Sequence, residues 1–160
     1  MGDFAIGSTS QPNLSIQRKE EPNLYGAITI CYEDVFGDEL AHRIRNLETP
    51  TNFLINMTNL AWFGDSQAPI QQLRLSRLRS IETGLPTVRA TNTGATAIIN
   101  ERGMVIAQLP GFKQDVLSGE VQARTGETPY VRWGDLPILL LSLIILAIAI
   151  LRLRKSRSIF

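Results

Sequence analysis

The alternation of apolar and polar positions divides the chain into short apolar runs, helical stripes and one long apolar block. Residues 24–31 (LYGAITIC) and 52–58 (NFLINMT) are near-continuous apolar runs. Their length and bounding turn residues predict two buried strands. Between them Leu40, Ile44 and Leu47 recur at i, i+4 and i+7, which predicts a helix over 38–48. Asp38 and Glu39 stand at its start, where a helix favours acids. Ile70, Leu73, Leu78 (or the stem of Arg77) and Ile81 predict a helix over 70–83 with those residues on its inner side; Gly84 and Pro86 end it. Short strands follow at 87–91 and 96–100, a hairpin turn at 101–103 leads into 104–109, and 116–121 reads as a last strand. Residues 7–23 are rich in Gly, Ser, Thr, Gln and Asn, hold two prolines, and predict a loop. Strands that first alternate with helices and then form a hairpin predict an α/β layered sheet. Such strands need cover on both faces, and two helices barely supply it. An N-terminal portion is therefore expected to be missing.

The long block is different in kind. Leu136 to Leu151 is 16 residues without a charge, and Leu153 extends it past Arg152. A membrane-spanning helix needs roughly 20 apolar residues, with ~17 as the lower bound. The flanks favour a span: Tyr130 and Trp133 precede the block, Pro137 suits a first helical turn, and Arg152, Arg154, Lys155 and Arg157 follow it. A soluble core helix apolar on every face would need far more protein around it. The expected organisation is an extracytoplasmic domain over 1–133, a transmembrane helix over 134–152 and a basic cytoplasmic tail over 153–160, oriented by the positive-inside rule.

Charge and composition narrow the chemistry. Four of the 16 basic residues lie in the last nine positions, so the preceding body is slightly acidic. Nucleic-acid binding would need a basic stripe and is not expected. The start of the chain, Met1-Gly2-Asp3-Phe4, lacks the basic and apolar regions of a signal peptide. One cysteine excludes an internal disulfide, and one cysteine with one histidine gives no metal cluster. No cofactor is expected.

That cysteine, Cys31, ends the first predicted strand and is followed at once by Tyr32, Glu33, Asp34 and Gly37. A thiol at a strand end, beside turning backbone, is well placed for nucleophilic attack, with the Tyr32 N–H as an oxyanion donor. In an extended chain Glu33 would share a side with Cys31. Asp34, Asp38 and Glu39 read as favourable charge at a helix N-terminus. His42 reads as a surface or helix-packing residue rather than the partner of Cys31.

Ile30-Cys31-Tyr32-Glu33-Asp34 resembles the nucleophile segment of the nitrilase (carbon–nitrogen hydrolase) superfamily and, within it, the apolipoprotein N-acyltransferase family. The resemblance continues through GSTSQPNL (7–14), NMTN (56–59), AWFGDS (61–66), PIQQ (69–72), RSIETG (79–84), RATNTG (89–94) and TGETPYVRWG (125–134). It implies a partial nitrilase-like αββα sandwich followed by one C-terminal transmembrane helix, the last part of an enzyme of the bacterial inner membrane. The implied reaction transfers a fatty acyl group from a membrane phospholipid to the N-terminal amine of a diacylglyceryl-cysteine apolipoprotein, through a thioester on Cys31. The catalytic domain would stand on the periplasmic side. The family's glutamate base and its lysine have no equivalent in this chain, so the chain alone is expected to be inactive. Tyr32 and Glu33 match residues that shape the acyl site, and Trp62 and Phe63 lie in the substrate loop. Two positions depart from the family pattern. Asn59-Leu60 stands where Asn-Asp is typical, and Pro69-Ile-Gln-Gln72 where Pro-His-Gln-His is common; both are assigned to substrate-loop detail. The alternatives are a membrane-tethered amidase of the same superfamily and a non-catalytic tail-anchored module.

Overall fold

In the computed structural model, six strands form one mixed sheet in chain order. The structure describes residues 11–157, with side chains to Leu153. The N-terminal motif up to residue 10 and the side chains of Arg154, Lys155 and Arg157 lie outside the described residues. β1 (Leu14–Ile16) pairs antiparallel with β2 (Leu24–Ile30), which pairs parallel with β3 (Phe53–Thr58). β3 pairs parallel with β4 (Thr87–Thr91), and β5 (Ala97–Ile99) and β6 (Val105–Gln108) complete the sheet as antiparallel strands. The parallel pairs are crossed by α1 (Gly37–Asn46) and α2 (Ala68–Thr83), as parallel neighbours require. Gly84 closes α2 in the left-handed region (φ 68°).

Both helices cover the same face. On that face Ala27 and Leu54 pack with Leu40 and Leu85, flanked by Ile44. One step along the strands, the register aligns Thr29 with Asn56 and Asn56 with Arg89, and all three are buried. The opposite face carries Ile28, Ile55 and Val88, half-buried, and then Ile30, Met57 and Ala90, exposed. The shortage of sheet cover expected from the sequence thus falls, among the described residues, on one face.

Several expectations are corrected. Residues 14–16 form an edge strand inside the predicted loop, because the chain returns alongside β2. Residues 116–121 form no strand, with Val116 83% exposed. The largest correction concerns α2: Ile70, Leu78 and Ile81 are exposed, while Gln72, Ser76, Arg79, Ser80 and Thr83 are buried. The helix turns its polar stripe inward because the sheet beneath offers polar partners.

After β6 the chain crosses to α3 (Pro129–Trp133), which is locked onto α1 and α2. Val131 is buried, Arg45 donates to the Arg132 carbonyl at 2.7 Å, and the Thr128 hydroxyl donates to the Glu82 carbonyl. Gly134 (φ 53°) breaks the chain direction before α4 (Leu136–Arg157), so the helix starts two residues later than the predicted span. Residues Leu136–Leu153 have mean hydropathy 2.8 and are wholly exposed, long and apolar enough to cross a membrane.

Candidate active site

Cys31 stands where β2 stops and a 3-10 turn (Cys31–Val35) begins. Its φ is +56°, a left-handed conformation uncommon outside glycine. Such a backbone costs of order 1–3 kcal/mol and persists only where neighbours hold it. Here three groups do so. The Gln72 amide donates to the Cys31 carbonyl at 2.7 Å, the Asn56 amide donates to it at 3.3 Å, and the Glu33 carboxylate accepts the Ile30 N–H at 2.7 Å.

Beneath the turn lies a buried polar cluster. Asp34, 3% exposed, accepts from the Thr29 hydroxyl at 2.8 Å and from the Ser76 hydroxyl. Arg89 donates through Nη1 to Ser76 (2.7 Å) and Asn56 (2.8 Å) and pairs with Asp34 at 3.5 Å. Asn56 in turn donates to Thr29 at 3.0 Å. Burial pushes the Arg89 pKa down, and the Asp34 carboxylate and Cys31 sulfur act in the opposite sense. A buried ion pair of this kind stabilises little by itself, but removing one partner strands the other charge. Its structural effect is to tether the turn after Cys31 to both α2 and the sheet.

Cys31 lines an open cleft of about 640 Å³. Ile30, Met57, Ala90 and Trp62 give it apolar walls, and Thr58, Asn59, Thr91 and Asn92 a polar rim. Trp62 is 84% exposed on a second 3-10 turn, Ala61–Phe63. Cys31 and Trp62 are therefore brought together.

The other expected site residues are placed differently. Phe63 is exposed beside Trp62, away from the cleft wall. The Tyr32 ring is exposed and meets Phe36 edge-on, with centroids 6.0 Å apart. Glu33 does not share a side with the thiol: the chain turns at Cys31, extended alternation stops, and its carboxylate faces a separate small cavity with Thr29, Phe36 and Arg43. Asp34 does lie in the first turn of the 3-10 helix, but it is also a buried acceptor, bonded to Thr29 and Ser76. Asp38 and Glu39 do occupy the first turn of α1, and His42 is exposed, bonded to Asn46. Gln72, one of the departures from the family pattern, lies in α2 and holds the Cys31 backbone.

Sequence reasoning assigned no role to Asn56, Ser76 or Arg89. One signal was available. A polar or cationic residue in the middle of a short apolar strand, as Asn56 in FLINMT and Arg89 in TVRAT, is buried only with partners.

Known proteins share this frame. The carbon-nitrogen hydrolase family model matches residues 25–130. The apolipoprotein N-acyltransferase of Ralstonia nicotianae is 44% identical over 98% of this chain and 29% of its own length. That of Vibrio cholerae is 38% identical over 98% of this chain and 30% of its own. The chain thus spans under a third of these curated relatives. Among solved structures, an amidase from Nesterenkonia sp. aligns with TM-score 0.54 at 19% identity, over 81% of this chain and 46% of the amidase. Saccharomyces cerevisiae Nit3, a nitrilase-superfamily member, aligns with TM-score 0.51 at 15% identity, over 69% and 40%. The two structures share the fold, the family match covers β2 to β6, both crossing helices and the Cys31 turn, and the chain belongs to the carbon–nitrogen hydrolase family.

Proposed function

We propose that this chain is the nucleophile-bearing C-terminal part of a membrane N-acyltransferase. In the first step the Cys31 thiolate attacks the ester carbonyl of a membrane phospholipid. The lysophospholipid alkoxide leaves and takes up a proton, and a thioester remains. In the second, the free α-amine of a diacylglyceryl-cysteine apolipoprotein attacks the thioester. An amide forms, the thiolate departs and the amine loses a proton. Both steps are acyl transfers, so they balance without a redox partner or cofactor.

The observation that carries this reading is the placement of Cys31. A thiol on a strained, clamped strand end opens into an apolar cleft, in a chain whose relatives are N-acyltransferases. The Tyr32 N–H is the proposed oxyanion donor, Glu33 holds the turn through Ile30, and Trp62 and Phe63 belong to the substrate loop. The cleft wall holds no acid and no lysine among the described residues. The base and the lysine are proposed to come from sequence outside this chain. Leu136–Leu153 would then hold the site at a membrane, where both lipid substrates are concentrated. The body is placed on the periplasmic side and the basic tail in the cytoplasm.

Intact-mass measurement of the full-length polypeptide after incubation with phospholipid tests this. A gain of one acyl group, absent in Cys31→Ala and discharged by a diacylglyceryl-cysteine peptide, is expected. An equal adduct on the alanine variant, or ammonia release from small amides without any lipid thioester, would overturn it.

A further inference from the structure

Asn92 lies in the turn that leaves β4, and that turn is held by its own side chains. The Thr91 N–H donates to the Thr96 hydroxyl at 3.0 Å, and that hydroxyl donates to the Thr91 carbonyl at 3.1 Å. The Thr93 carbonyl accepts the Phe112 N–H at 2.8 Å. From this fixed base the Asn92 carboxamide reaches the neighbouring turn. Its Oδ1 accepts the Leu60 N–H at 3.0 Å, and its Nδ2 donates to the Asn59 Oδ1 at 2.8 Å. The same Asn59 oxygen accepts the Ala61 N–H at 3.0 Å. Leu60 is 1% exposed and anchors the turn from below. These bonds meet at the entry to Ala61–Phe63, the turn that raises Trp62 beside Cys31.

We propose that Asn92 is a positioning residue that fixes Trp62 over the cleft and so sets how a fatty acyl group is seated against Cys31. The inference rests on the acyl-transfer reading for its substrate, but its geometry stands independently. The two asparagines are not equivalent. Asn59 is used only as an acceptor, so a carboxylate can take its place. Asn92 must accept and donate at once, which a carboxylate cannot do. In Asn92→Asp the new carboxylate faces the Asn59 oxygen. Were the Asn59 amide to turn and donate, the Ala61 N–H would lose its acceptor. One bond is lost either way.

The test compares Asn92→Asp, Asn59→Asp and wild type in the full-length polypeptide. Losing this bond is expected to raise the KM for phospholipid about tenfold in Asn92→Asp while kcat changes less than about threefold. Asn59→Asp keeps its acceptor oxygens for Ala61 and Asn92 but adds a charge at the cleft rim, so it is read through Trp62 emission and not through turnover. Trp62 emission, taken as the difference from Trp62→Phe, should shift in Asn92→Asp and not in Asn59→Asp. An equal emission shift in the two variants, with the wild type forming a Cys31 thioester, would overturn the role of Asn92. Absence of the thioester in wild type would defeat the acyl-transfer reading instead, and the emission comparison would still decide the strut.

Discussion

The two faces of the sheet are lined by adjacent rows of the same three strands, yet they are built in opposite ways. On the helix side the row Thr29–Asn56–Arg89 is buried, polar and cross-bonded to Asp34 and Ser76. On the other side the next row, Ile30–Met57–Ala90, is apolar and exposed. Cys31 follows directly on both. Its backbone is gripped from the polar side, through Asn56 and Gln72, and its cleft opens along the apolar side. Rigidity and access are thus separated by one residue step, which a strand provides because successive side chains point to opposite faces.

The largest expected effect breaks the polar side. Arg89→Leu leaves Asp34 buried without its cation, and purified protein in detergent should lose ~3–5 kcal/mol of stability, read as a lower denaturant midpoint. A loss below ~1 kcal/mol would show that the ion pair does not hold the turn. Gln72→Leu is milder. It removes the shorter of two bonds to the Cys31 carbonyl and should cost ~1–3 kcal/mol. It should also slow Cys31 alkylation by iodoacetamide or change its pH profile, since the strained turn relaxes; an unchanged profile would detach Gln72 from the thiol.

A pH experiment sharpens the polar side further out along α2. Burial raises the pKa of Glu82, with Arg79 opposing and Asp135 adding to the rise. The folded state therefore holds this proton more tightly than the unfolded chain. Stability contributed by Glu82 is present below the ordinary glutamate value and falls as pH rises through the raised one. Glu82→Gln should flatten the stability profile across that interval; an unchanged slope would assign the effect elsewhere. The smallest effect on stability belongs to the open side. Met57→Gln should change the denaturant midpoint by no more than ~0.5 kcal/mol, as for an exposed position. The acyl-thioester yield should nevertheless fall, because Met57 walls the cleft. A large destabilisation would show that the apolar row is covered rather than open.

Much of the frame was legible in the sequence. The apolar runs at 24–31 and 52–58 form β2 and β3 within a residue, because a short, continuously apolar segment leaves few alternatives to a buried strand. Cys31 at a strand end and the exposed apolar helix from Leu136 were legible for the same local reason. The inward face of α2 was not. Its Ile70, Leu78 and Ile81 satisfy the usual rule for an inner stripe, while Gln72, Ser76, Arg79 and Ser80 satisfy the same spacing with polar residues. Periodicity supplies two candidate faces, and only the partners waiting on the sheet choose between them.

The sequence by itself determined the local elements, the one thiol and the one long apolar helix, since each depends on neighbours within a few positions. The tertiary structure decided which distant polar groups meet. The parallel register of β2, β3 and β4 sets Thr29, Asn56 and Arg89 side by side, and α2 brings Gln72 and Ser76 onto them. Buried polar atoms need partners wherever in the chain those partners lie, and that requirement is fixed by three-dimensional packing rather than by any stretch of sequence.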